Sequence, residues 1–355
     1  MESAFTPYFP RTLYRILAYT TLMETTVIAV GGADCGFSPV LPYIGKRISG
    51  ELFTRAAKAY LEAVLLRCGF DVLDIPATVT EPQDAIMRIN RYGADGAVIM
   101  MLSAFGSRKS FNETFGARVR YSKPRGTRSR VLCEDICSRI ELIKPATVEE
   151  GDPIWQAATC PTAVVCAGYL THFDEAKRSL DPDCVRDTCE HVAMGVCEHY
   201  GYPYVTDCPF PLAAGAGKRG KKVKLVQALL ATNGYELETD GIFGKATADA
   251  FSDFCERARM DGTDDEALYR ALTLGEIPHE ITLGARLPVV RYIQRKLYAK
   301  LYDCPQSGEL CADTVSAINE FLEETNNALR VENGIVTESI IKALSVTGGG
   351  RPRLF

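Results

Sequence analysis

The chain has 355 residues, 46% of them hydrophobic, and a formal net charge of −5, which suits two or three domains with ordinary buried cores. The charge balance gives no basic footprint, so nucleic acid is not an expected partner. No run approaches the roughly 18 uncharged apolar residues of a membrane span, the longest candidate being residues 97–106.

Thirteen cysteines are too many to ignore and odd in number. They fall on apolar faces, as Cys133 and Cys137 do at i and i+4, without the paired spacing of a disulfide scaffold. They read as buried small hydrophobes in a reducing setting. At the N-terminus, Arg11 and Arg15 precede Ile16-Leu17-Ala18-Tyr19, which is too short and too polar for a signal-peptide core. Residues 1–22 are expected to add little, and Met23, just before the first strand, is a candidate initiator.

Residues 26–30 form an apolar β-type run ending in Gly31-Gly32-Ala33-Asp34-Cys35-Gly36, a glycine-dense loop at a strand's C-terminal end. In α/β folds that is where ligands bind. A helix is predicted over 52–66, a strand from Phe70, a helix over 84–92, and a fully apolar strand over 97–102 after Gly93-Ala94-Asp95-Gly96. Alternating helices and near-continuous apolar strands predict an α/β domain with a mainly parallel sheet buried on both faces. Residues 108–130 are a basic excursion with a strand over 117–121, which reads first as a solvated loop. A helix over 130–142, a buried strand over 162–169 and a last helix running to Tyr200 complete a domain spanning 23–204. Residues 205–222, rich in Pro, Gly and Lys, read as a linker.

Beyond the linker, Val223, Val226, Leu229 and Leu230 make a helical stripe ended by Asn233-Gly234. The turn Asp240-Gly241-Ile242-Phe243-Gly244-Lys245-Ala246-Thr247 follows, and Thr247, Ala250, Phe251 and Phe254 then mark a second helix. Asp261-Gly262 leads to a third element through Leu268 and Leu272. The pattern recurs at a constant offset of 67 residues (294 − 227 for the two glutamines), which also relates Gly241 to Gly308, Thr247 to Thr314 and Phe254 to Phe321. Matched positions at a fixed period argue for a duplicated unit, with copies at 223–273 and 288–346. The third element of the second copy follows Asn333-Gly334-Ile335.

Helix, turn, helix, turn, short helix with this Asp-Gly-Ile-Phe-Gly-x-x-Thr turn resembles the peptidoglycan-binding module of bacterial cell-wall hydrolases. The resemblance implies binding around Asp240, Gly241, Phe243, Gly244 and Thr247. The second copy lacks the turn's Asp and second Gly. The plainer alternative is a small three-helix domain in which Gln, Thr and Phe serve packing and capping.

In the first domain, Arg88-Ile89-Asn90-x-x-Gly93-Ala94-Asp95 before an apolar strand, and Pro161-Thr162-Ala163-Val164-Val165 through Gly168-Tyr169-Leu170-Thr171 with Glu175, Ala176 and Leu180, resemble the zinc-dependent N-acetylmuramoyl-L-alanine amidase family. The likeness covers about residues 26–201. It implies a twisted, mainly parallel sheet between helices, with one zinc on two His and one Glu and a further Glu as general base. The positions that should carry this chemistry hold Ala33 (first His), Glu51 beside Gly50 (the Glu ligand), Met101 (second His) and Cys166 (general base). Only Glu51 remains as a possible remnant, so conventional zinc hydrolysis and a bound cofactor are not expected.

The leading reading is therefore a cell-wall-associated, non-catalytic amidase-like scaffold followed by two wall-binding-like repeats, whose partners would be peptidoglycan, a muropeptide or an active cell-wall hydrolase. Two alternatives stand beside it. One is an active amidase with displaced ligands, in which Cys35, Glu51 and Cys166 would form a thiolate-rich zinc site or Cys166 would pair with His172 as a nucleophile. The other is a cytoplasmic interaction protein, favoured by the thiols. The compartment stays open between the cell envelope, a spore compartment and the cytoplasm.

Overall fold

The computed structural model describes residues 25–33, 38–76, 81–105, 111–122, 126–207, 219–274 and 277–346. Residues 1–22, Cys35 and most of the expected linker (208–218) lie outside them. The first half runs β1 (Val27–Ala33), α1 (Gly50–Arg67), β2 (Asp71–Asp74), α2 (Pro82–Tyr92), β3 (Gly96–Ser103), β4 (Ala117–Tyr121), α3 (Gly126–Ile140), β5 (Ala146–Glu150), β6 (Thr162–Tyr169), α4 (Phe173–Arg178) and α5 (Pro182–Tyr200).

The sheet order is β2-β1-β3-β6-β4-β5. The first four strands are mutually parallel, β4 is antiparallel to β6, and β5 runs parallel to β4. Every residue of β6 is buried, as a central strand covered on both faces requires. On one face Val30, Val98 and Val165 pack with α1, α3 and α5 through side chains such as Leu65, Ile136 and Val192. On the other, Ala29, Ala97 and Ile99 meet Ile86 and Ile89 of α2 and Trp155 of a short 3₁₀ turn. The α/β class and its mainly parallel sheet are as the sequence predicts, while β5 is an addition. Its sequence, Ala146-Thr147-Val148-Glu149-Glu150, sits at the sheet edge with only Ala146 buried. A short edge strand ending in two glutamates gives little hydrophobic signal.

Helix packing is set by small residues. A Cβ added at Gly195 of α5 would lie 2.4 Å from the Ile136 Cα of α3, so the two helices touch at their backbones. Pro182 at the first turn, with Asp181 accepting the Asp183 N–H at 3.0 Å, starts α5, and Gly201 in the left-handed conformation ends it.

The second half contains α6 (Lys221–Thr232), α7 (Lys245–Ala258), α8 (Asp265–Leu272), β7 (Glu280–Thr282), α9 (Pro288–Ala299), α10 (Ala312–Glu324), β8 (Ile335–Thr337) and α11 (Glu338–Ser345). Lys221 and Lys222 belong to α6 rather than to an irregular linker. The copies match in detail: the isolated bridge between Arg219 and Ile242 recurs between Arg286 and Glu309, again 67 residues on. The second copy adds the antiparallel pair β7–β8.

Neither copy hangs free of the α/β domain. Leu225, Val226 and Leu229 of α6 share one continuous core with Leu61 and Leu65 of α1. Lys224 Nζ reaches Asp71 Oδ1 and the Val72 carbonyl, both at 2.6 Å. The second copy has a core of its own, including Ile293, Leu297, Ile318 and Phe321, but α9 extends a fully buried Lys296 onto Asp181 (2.8 Å) and Asp183 (3.0 Å). A buried ammonium is tolerable only with such partners.

Candidate functional site at the strand ends

β1, β3 and β6 present their C-terminal ends side by side. Ala33 pairs in register with Met101, and Met101 with Cys166. The period-2 alternation of strands puts all three on the face that carries Ala29, Ile99 and Val164. Three of the four positions named from the sequence are thus neighbours on adjacent strands, each about 4.8 Å from the next strand.

Their chemistry is a methyl, a thioether and a thiol. Cys166 is fully buried, with its Sγ 2.6 Å from Ser103 Oγ. Glu51 is placed elsewhere: it lies in the first turn of α1, exposed, and pairs with Arg55 Nη2 at 2.6 Å. Arg55 also bonds Glu236 of the first repeat, so Glu51 lines a groove between α1 and that repeat. Cys35 lies outside the described residues. Just below the site, a Cβ at Gly32 would come within 3.0 Å of Thr54 Cβ, so the glycine-dense segment lets α1 approach β1 closely.

The expected strand β4 and its edge neighbour β5 add charged groups that the sequence reading did not assign to a site. Arg118 of β4 is the register partner of Cys166, and Arg118 and Arg120 alternate onto the same face. Arg120 Nε bonds Glu149 Oε1 of β5 at 2.7 Å, with Arg118 Nε 3.8 Å from the other oxygen. The Arg118 guanidinium also lies 5.8 Å from the centre of the Tyr169 ring. Half-burial works against the Arg120 charge, but the bond to Glu149 and the Coulombic pull of Cys166, Glu149 and Tyr169 together outweigh it and raise the pKa. The alternation in Ala117-Arg118-Val119-Arg120-Tyr121 was a readable signal for the two arginines; Glu149 was hidden with its unrecognised strand.

His172 caps α4, its Nδ1 accepting the Glu175 N–H at 3.4 Å, and its ring packs near Phe115. Glu175, one of the family-like positions, accepts from the Gly116 and Tyr169 N–H groups at 2.9 and 2.8 Å and so pins β4 to the end of β6. His199 bonds Asp135, and His279 bonds Glu338. Among the described residues no group of three or more His, Cys, Asp or Glu side chains could hold a metal ion. Burial pushes the thiols of Cys137 and Cys160 up to about 11, where they stay protonated near neutrality.

In the first repeat, Gln227 of α6 closes the turn. Its Nε2 donates to Asp240 Oδ1 (2.7 Å) and Thr247 Oγ1 (3.0 Å), and its Oε1 accepts the Gly241 N–H (2.8 Å). Gly241 sits at φ +74°, a region costly for other residues. The second repeat repeats the clamp: Gln294 donates to Thr314 Oγ1 at 3.0 Å and accepts the Gly308 N–H at 2.7 Å. Phe243 is buried edge-on to Phe251, and Gly244 precedes α7 as its N-cap. Gly241, Phe243 and Thr247 are therefore buried, while Asp240, though its Oδ1 accepts from Gln227, stays exposed beside Ile242 at the tip of the turn.

No family model matches the chain, and no curated protein does. Solved structures of N-acetylmuramoyl-L-alanine amidases are similar to about half of the chain. The catalytic domain of CwlV, an N-acetylmuramoyl-L-alanine amidase from Bacillus (Paenibacillus) polymyxa var. colistinus, is 15% identical with a TM-score of 0.43, over 50% of this chain and 100% of that one. The N-acetylmuramoyl-L-alanine amidase from Clostridium difficile 630 is 16% identical with a TM-score of 0.42, over 50% and 98%. The CwlD amidase from Clostridioides difficile, solved in complex with the GerS lipoprotein, is 14% identical with a TM-score of 0.39, over 50% and 99%.

Proposed function

We propose that the chain is a peptidoglycan-associated protein whose α/β domain keeps an amidase-like scaffold without the zinc hydrolase's chemistry. The observation that carries this reading is the register of Ala33, Met101 and Cys166. The positions expected to supply two imidazoles and a carboxylate stand next to one another, and they offer none of those groups. Zinc is held by thiolate, imidazole or carboxylate ligands. A methyl, a thioether and one buried thiol against Ser103 do not fit it, and Glu51 is turned to another groove. Glu149, a carboxylate of the adjoining edge strand, is bonded to Arg120 and so does not stand in for the general base. The scaffold would instead hold a muropeptide or dock an active hydrolase, with the repeats contributing wall contact through the exposed edge of the Ile242 turn.

Zinc content of the purified full-length protein, with peptide release from purified peptidoglycan, tests the proposal. Far less than one zinc per chain and no release above background are expected. About one zinc per chain with chelator-sensitive release would overturn it. The cytoplasmic alternative is favoured by buried thiols outside any disulfide, such as Cys133, Cys166 and Cys189; cell fractionation separates the two.

A further inference from the structure

α9 carries Arg291 and Arg295 one turn apart, so both lie on the same face of that helix. That face looks into a cavity of about 150 Å³ where α1 and α5 of the α/β domain meet both repeats. The same two arginines line two neighbouring grooves of about 360 and 270 Å³. Both side chains are half-buried.

The charges here do not balance. Every carboxylate lining these three spaces is already committed: Glu190 to Arg67, Asp183 to Lys296 and Arg186, and Glu51 and Glu236 to Arg55. Among the described residues no carboxylate pairs with Arg291 or Arg295. Among the described residues, the hydrogen bonds of both go to backbone at the end of α6. Arg291 Nη1 lies 3.2 Å from the Asn233 and Gly234 carbonyls, and Arg295 Nη1 lies 3.3 Å from that of Thr232. A guanidinium has five N–H donors, so most of them remain available.

Room for this arrangement is built into the repeat. A Cβ at Gly234 would lie 1.9 Å from Arg291 Nη1, so a glycine at this turn is what admits the guanidinium. Burial, followed by the proximity of Arg295 and Arg257, holds the Arg291 pKa below its ordinary value. An incoming anion would relieve that like-charge crowding.

We propose that Arg291 and Arg295 form a binding site for a small oxyanion, a carboxylate or phosphoryl group, at the junction of the α/β domain and the two repeats. Planar, forked guanidinium donors match both groups. The α6 carbonyls fix the two forks in place before the ligand arrives, which lowers the ordering cost of binding. The site is separate from the strand ends and does not depend on whether they catalyse a reaction.

Isothermal titration of the full chain tests it with two probes at matched ionic strength: inorganic phosphate, and acetyl-alanyl-alanine as its free acid against its amide. Saturable one-to-one binding of phosphate or of the acid is expected, weakened at least tenfold in R291Q/R295Q. Binding of phosphate alone would point to a phosphoryl ligand, and binding of the acid but not the amide to a peptide carboxylate. Should the double variant fail to fold, R295Q alone should weaken binding at least threefold. No saturable binding of either probe, or an affinity unchanged in the variants, would overturn the proposal.

Discussion

Gln227 and Gln294 each reach across a turn to hold a glycine N–H and a threonine hydroxyl with one amide, and both are buried. Replacing Gln227 with Ala strands the Gly241 N–H in a site where water does not compensate it. A buried donor left without a partner costs about 1–3 kcal/mol, and Gln294→Ala should cost a similar amount. Urea unfolding followed by far-UV circular dichroism checks both; losses under about 0.3 kcal/mol would show that the clamp is incidental. The matched positions of this clamp were legible as recurrence, because a spacing of 67 can be counted. Which way the side chains point could not be counted. Asp240 and Thr247 enter as binding groups through the family resemblance; the Gln227 amide bonds both, with Thr247 buried and Asp240 still exposed. At the strand ends the family resemblance pointed to Ala33, Met101 and Cys166, and the strand register puts these three side by side. For Glu51, helix position alone did not tell which groove a first-turn carboxylate lines.

Among the elements, the contact between α3 and α5 is the tightest test of packing. Gly195→Ala would put a methyl 2.4 Å from the Ile136 Cα and 2.8 Å from the Asp135 carbonyl oxygen. Both obstacles are backbone, so a side-chain shift cannot relieve the clash and the helices must separate. Overpacking of this kind costs about 1–3 kcal/mol or more. A lower urea midpoint with an unchanged m-value is expected, and an unchanged midpoint would show that the crossing is looser than described. The apolar strands and the amphipathic helices were readable because two-sided burial and helical periodicity leave strong signals. β5 was not readable, since an exposed edge strand needs no such pattern. The closeness of α6 to α1 was equally hidden: apolar stripes announce that a face is buried, not what buries it.

For the whole molecule, the seam between the α/β domain and the first repeat contains an acid cluster with a pH signature. Lys58 Nζ sits 2.5 Å from Asp74 Oδ1 and 3.1 Å from Glu62 Oε1. Thr239 of the repeat donates to Glu62 Oε2 at 2.7 Å, and its N–H donates to Asp74 Oδ2 at 2.8 Å. Two buried carboxylates share one ammonium. Burial pushes Glu62 up to about 7, with Lys58 opposing the shift and Asp74 adding to it. Because the folded pKa lies above the unfolded one, the native state binds more protons between about 4.5 and 7, and stability falls as pH rises through that window. The fall should not exceed about 1.4 kcal/mol per pH unit. Glu62→Gln should flatten the dependence in chemical denaturation between pH 5 and 8; a wild-type profile that rises with pH there would contradict this account.

The seam also dictates when the molecule can be finished. Lys224 bonds a residue 153 positions earlier, Thr239 one 177 earlier, and Lys296 one 115 earlier. During synthesis the sheet can assemble once β6 has left the ribosome, yet the outer flank of α1 then stays bare. Its cover arrives only with α6, and the α5 N-terminus must wait longer for Lys296. Contacts so distant along the chain close slowly. A nascent chain stalled after α5 therefore exposes the α1 flank of Tyr60, Ala63 and Val64 that faces the repeats in the finished molecule, an uncovered surface that invites aggregation or a chaperone until the repeats are made.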